Sequence, residues 1–151
     1  MTYLASDVDL TDELAKSAKE EQFVPEWEQP VPAYGLSQWQ VDSIVEILRL
    51  GNLQQDWDSY GSPPPGSQLI ELAIRVVRSI PFDDLATPRV VPVAGGGIQI
   101  EWRVGQRELE LTILPDRSVE FLKIERGEPC EESVFDEGGQ LLSVLGWLQT
   151  A

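Results

Sequence analysis

The sequence predicts an α+β fold: an acidic N-terminal arm, two helices, a four-stranded antiparallel meander and a C-terminal helix. Three observations predict it. Apolar residues recur at helical spacing over 36–50 and 67–80. They alternate with polar residues over 89–124 and return to helical spacing over 136–149. Helices and strands are thus segregated along the chain, which favours α+β over a doubly wound parallel sheet. A chain of 151 residues suits one domain, and we place it at 34–151, after an arm at 1–33.

The arm holds eight acids against Lys16 and Lys19. Thr11 precedes Asp12 and Glu13, a combination that caps a short helix running through Lys19. Leu10, Leu14, Ala15 and Ala18 give that helix a thin apolar stripe. Pro25, Pro30 and Pro32 then impose an extended path. Phe23, Trp27 and Tyr34 are aromatic anchors for docking on the chain's own body or on a partner. In the helix to Leu50, Ser37 is the N-cap, and Val41, Ile44, Val45 and Leu48 form the inward face, with Trp39 and Ile47 flanking it. Gly51-Asn52 ends it.

A loop, DWDSYGSPPPG over 56–66, leads to a second helix capped by Ser67, with Leu69, Ala73, Val76, Val77 and Ile80 inward. Pro63-Pro64-Pro65 is a stiff spacer. Strands follow at Arg89–Val93 and, after Gly95-Gly96-Gly97, at Ile98–Val104. A two-residue turn at Gly105-Gln106 leads to the third. Pro115-Asp116-Arg117 turns the chain into a fourth strand, Ser118–Ile124. ERGEPCEES is a polar lead-out to a last helix, Asp136–Gln149, which buries Leu141, Val144, Leu145 and Leu148. The glycine triplet lies between strands, unlike a phosphate-cradling loop, which opens a helix.

Charge and composition narrow the function. Eleven basic residues against 26 acidic ones give a formal net charge of −15. Such a surface repels phosphate backbones and attracts basic proteins, although solubility alone is the plainer account of it. With no histidine, the chain lacks Ser-His and Cys-His nucleophile pairs and most zinc chemistry. One cysteine, no basic apolar leader and no long apolar run read as a cytoplasmic, membrane-free chain. Cys130, among Glu128, Glu131 and Glu132, makes a poor nucleophile.

The runs WDSYGSPPP (57–65) and VVPVAGGGIQIEW (90–102), the latter continuing into RELELTILPD, together resemble a family of small uncharacterised bacterial proteins. Its members carry a Trp-Asp-Gly-Tyr-Gly loop followed by a Gly-Gly-containing hairpin. The resemblance covers 36–125 and implies no activity, cofactor or site residues. The chain departs from the pattern at Ser59 and Arg117, where glycine is expected.

Two regions are candidate sites. In the first loop, Asp56 and Asp58 could hold a cation, and Trp57 and Tyr60 could stack on a ligand. The preferred reading is structural: Trp57 and Tyr60 plug the gap between helix and sheet, the acids tie down backbone amides, and Gly61 supplies a special backbone conformation. In the second, the Gly105-Gln106 turn sets Arg103 opposite Glu108 and Glu101 opposite Glu110 on the solvent face. A like-charge pair there costs roughly 0.2–1 kcal/mol. Lys123 or solvent is the plain source of relief, and a metal or a partner's arginine the functional one.

The first functional reading is a non-enzymatic, acidic protein–protein interaction module without cofactor, antitoxin-like, inhibitory or adaptor in role. It meets a basic protein through Phe23, Trp27, Tyr34, Glu101, Glu108 and Glu110. The rivals are a metal-dependent hydrolase on Asp56, Asp58, Glu101 and Glu110, and a nucleic-acid mimic.

Overall fold

A computed structural model describes residues 24–30 and 35–151. The short acidic helix expected near Thr11–Lys19, and the anchors Phe23 and Tyr34, lie outside the described residues. A 3-10 turn at Glu26–Glu28 precedes α1 (Gln38–Leu50) and α2 (Ser67–Arg78). Five strands follow: β1 (Arg89–Val93), β2 (Gly97–Val104), β3 (Arg107–Ile113), β4 (Val119–Glu125) and β5 (Glu128–Val134). The last helix is α3 (Gln140–Gln149).

The strands form one antiparallel sheet in the order β1-β2-β3-β4-β5. Alternation along β2, β3 and β4 sends Ile98, Ile100, Trp102, Leu109, Leu111, Ile113, Val119 and Phe121 to one face, where all are buried. The helices cover that face. α2 buries Leu69, Leu72, Ala73, Val76 and Val77, and α3 buries Leu141, Val144, Leu145 and Leu148.

The meander has one strand more than expected. Arg126 and Gly127 both adopt positive φ (54° and 79°), the two-residue geometry that suits strand twist in a hairpin. The stretch read as a polar lead-out is therefore β5. Every residue of it is exposed, so no alternation marks it. Its glutamates and Pro129 suit a sheet edge that must not pair with other chains. Cys130 accordingly sits on an exposed strand rather than in a loop. α3 begins at Gln140 instead of Asp136, because Gln140 Oε1 accepts the Asp136 and Glu137 amides at 2.8 and 2.9 Å in the turn before it. At α2 the N-cap is Gly66, and Ser67 is the first helical residue.

α1 turns a different face inward from the one its pattern predicts. Trp39, Gln40, Ser43, Ile47 and Leu50 are buried, whereas Val41 and Val45 are each 41% exposed and Leu48 52%. The tryptophan decides the rotation. Trp39 packs edge-on against Trp102 with centroids 6.0 Å apart, and its Nε1 donates to Phe82 O at 2.7 Å. Burying the indole also takes Ile47 and Leu50 inward, and both its ring and its N–H find partners there. Gln40 follows it inward and donates from Nε2 to Val77 O and Ile80 O, both at 3.0 Å, at the C-terminal end of α2. Its Oε1 accepts the Ser37 amide at 2.9 Å, consistent with Ser37 as N-cap.

Trp27 is corrected as a partner anchor. It is 7% exposed and meets Phe135 edge-on at 5.9 Å, with Phe135 in turn 5.0 Å from Phe121. The 3-10 turn is thereby part of this chain's own core.

Candidate functional site

The face of the sheet opposite the described helices is built from the β2–β3 turn outward. Gly105 takes φ +58°, closing a two-residue turn that pairs Arg103 with Glu108, Trp102 with Leu109 and Glu101 with Glu110. This register is the one the sequence predicts. Since Trp102 and Leu109 point into the core, Glu101 and Glu110 point out, side by side.

Their neighbours differ. Glu101 accepts a hydrogen bond from Gln99 Nε2 at 2.8 Å and lies 3.8 Å from Arg89 of β1. Glu108 is ion-paired with Arg103. Glu110 makes no ion pair among the described residues. Desolvation, then the charges of Glu101 and Glu108, hold its carboxyl above the usual range. Across the next ladder Glu110 faces Leu122 and Glu108 faces Ile124, both half-buried. The result is a shallow hollow lined by Arg89, Glu101, Arg103, Glu108 and Glu110, with apolar residues at its margin.

Lys123, expected to relieve the pair, is on the opposite face. It sits beside inward-facing Leu109, binds Glu131 at 2.6 Å and stacks over Trp147 at 5.1 Å. Arg107 approaches the same indole at 4.9 Å and donates to Trp147 O at 2.5 Å, which fastens the end of α3 to the sheet. The sequence missed Arg89 as the cation near Glu101 because three successive glycines allow more than one turn length between β1 and β2 and so leave the register open.

The DWDSYG loop is self-braced. Asp58 Oδ1 accepts the Tyr60 and Ser62 amides at 2.9 and 3.1 Å, and its Oδ2 accepts the Ser62 hydroxyl at 2.5 Å. These bonds, the Ser62 hydroxyl's first among them, hold its carboxyl below the usual range. Asp56 Oδ1 accepts the Gly61 amide at 2.7 Å. Trp57 is half-buried and donates to Pro63 O at 3.0 Å. Tyr60 is 92% exposed, so it plugs nothing. The aspartates fold the loop back on itself and carry the tyrosine outward.

The loop also meets the glycine triplet. Ser62 Oγ accepts the Gly95 amide at 3.0 Å. A side chain at Gly96 would come within 3.3 Å of Pro63 Cγ, and one at Gly97 within 3.0 Å of Ile113 O. The two stretches that carry the sequence resemblance are thus neighbours in space, and glycine is required where they touch. Ser59 and Arg117, the two departures, both have positive φ (64° and 73°), the region glycine occupies without strain.

Among the described residues no group of three or more His, Cys, Asp or Glu side chains is arranged to hold a metal ion, and no helix is long and apolar enough to cross a membrane. Val41, Val45 and Leu48 are the surface feature that sequence reasoning missed. The available signal was that α1 carries two apolar stripes and can bury only one. Searches of family models, curated proteins and solved structures return no match to this chain.

Proposed function

We propose that this protein is a non-enzymatic interaction module that receives a basic protein partner on the face of its sheet opposite the described helices, in an inhibitory or adaptor role. The observation that carries the reading is Glu110: half-buried, opposite Glu101 and beside Glu108, with no cation of its own among the described residues. A partner's arginine or lysine placed there would relieve the repulsion and gain a partly desolvated ion pair. The net charge of −15 would speed its approach. The hydrolase reading draws on Asp56, Asp58, Glu101 and Glu110; loop donors engage both oxygens of Asp58 and one of Asp56, and among the described residues no three such groups are arranged to hold a metal ion.

Capture from a lysate of the native host, followed by mass spectrometry, tests this. Wild-type protein should retain a basic protein that raised salt releases, and the Glu101→Gln/Glu110→Gln double variant should retain several-fold less of it. Equal retention by the double variant, or a partner insensitive to salt, would refute the sheet face as the docking surface.

A further inference from the structure

We infer that the cleft between the 3-10 turn and the end of α2 is a binding site for a small organic cation. The group it takes is an ammonium on a short apolar stem, as in a free amine or the lysine side chain of a protein. The cleft is separate from the sheet face, and its chemistry does not depend on the reading above.

Four parts of the chain converge there. Glu26 comes from the 3-10 turn, Leu36 from the approach to α1, Ile80 and Pro81 from the end of α2, and Leu142 from α3. The cleft encloses about 220 Å³. A cavity of roughly 150 Å³ admits benzene, so this one suits a ligand of about six to ten non-hydrogen atoms. Leu36 and Leu142 are 39% and 36% exposed, and with Ile80 and Pro81 they offer apolar surface to a stem. Glu26 offers the polar end. Its Oε1 is shut off from water and has no hydrogen-bond partner, and its carboxylate forms no ion pair among the described residues. Arg75 Nε is also buried without a partner, but Arg75 neither lines the cleft nor pairs with Glu26. Gln40, also on the wall, is already engaged with Val77 O and Ile80 O. A carboxylate oxygen held from water without a donor is destabilising. A donor in the cleft relieves it through a charge-assisted hydrogen bond, and the carboxylate's last torsion is soft enough to turn towards it.

The sign of the charge follows from the same walls. Glu26 and Asp83 stand against Arg78, and Arg78 is exposed, where solvent screens it. The end of α2 forms one wall, and the C-terminal end of a helix carries partial negative charge. Pro81 has no N–H to offer an anion. A divalent metal fits poorly, since calcium takes about six to eight oxygens and no three acidic groups are arranged together among the described residues. An ammonium needs one good carboxylate and leaves the leucines to its stem.

The test titrates the full-length, isotope-labelled protein with phenethylamine and follows amide chemical shifts. Phenethyl alcohol controls for the stem without the charge, and methylammonium for the charge without the stem. The amine should bind about tenfold more tightly than either, with shifts gathered at Glu26, Gln40, Ser79 and Leu142. Glu26→Gln keeps the shape and removes the charge; it should weaken the amine about tenfold and leave the alcohol unchanged. Leu142→Lys, at an exposed position, serves if that variant misfolds, because its own ammonium competes for the cleft and should weaken the amine by a similar factor. A parallel titration with Nα-acetyl-lysine methylamide separates the two sources: tighter binding of phenethylamine assigns a free amine, tighter binding of the lysine derivative a protein side chain. No binding of either, or equal affinity for the amine and its two controls, overturns the proposal. So do shifts gathered at Glu101, Glu108 and Glu110, which would assign the amine to the acidic sheet face. Residues 31–34 join Pro30 to Gly35 at the rim; tighter amine binding when all four are glycine also overturns it, by assigning the cleft to the chain itself. The shifts report on the cleft alone, so failure of the sheet-face capture experiment leaves this result standing, and the converse holds.

Discussion

Replacing Ser59 and Arg117 by glycine should stabilise the protein. Both residues hold positive φ, 64° and 73°, where a Cβ crowds the following carbonyl at a cost of roughly 1–2 kcal/mol. Glycine removes that cost but brings extra unfolded-state freedom worth about 0.5–1 kcal/mol. The net gain is about 0.5–1 kcal/mol at each site. Neither site loses a bond in the exchange. Ser59 uses its amide, to Asp56 O at 3.1 Å, and Arg117 its amide, to Leu114 O at 2.8 Å; glycine keeps both. The double variant should therefore gain about 1–2 kcal/mol if the sites act independently, or roughly 2–8 °C in Tm for a domain of this size. Urea melts with an unchanged slope and a higher midpoint are the assay. Asp56→Gly is the control. It has the same kind of φ (67°), but its side chain accepts the Gly61 amide, so the substitution should destabilise. A neutral or negative shift in the Ser59→Gly/Arg117→Gly variant would refute the claim that these positions are strained.

Two more predictions concern groups whose surroundings the structure defines. Gln40→Met keeps the volume but leaves Val77 O and Ile80 O without their side-chain donor, and should cost about 2–3 kcal/mol in denaturant melts. Gln40→Glu, which sets an acceptor against both carbonyls, should cost at least as much, and a neutral Gln40→Met would show the buried amide to be dispensable. For Glu110 the folded-state pKa is raised above its ordinary 4.5, so the folded chain holds the proton longer than the unfolded one. Stability therefore falls as pH rises from 4.5 through the raised value. Glu110→Gln should match wild type below that window and exceed it above, with the part due to Glu101 and Glu108 fading in high salt. A Gln variant less stable than wild type at neutral pH would mean that Glu110 has a favourable partner.

What the sequence made legible follows from how each signal arises. The β2–β3 register was readable because one glycine turn fixes it and a slip by one residue would expose Trp102 and Leu109. β5 was not readable, because a strand exposed on both faces leaves no period to detect. The rotation of α1 shows a deeper limit. Counting apolar residues at helical spacing favours Val41, Ile44, Val45 and Leu48, but the helix is set by long-range demands. Trp39 must reach both Trp102 and Phe82 O, and the end of α2 needs the donor that Gln40 supplies. None of those partners is within thirty-five residues along the chain. In the DWDSYG loop the aspartates were read correctly as bracing, because their bonds run to amides a few residues away. The exposure of Tyr60 depends on where the braced loop then sits, against Gly95 and Gly96, and that placement is tertiary.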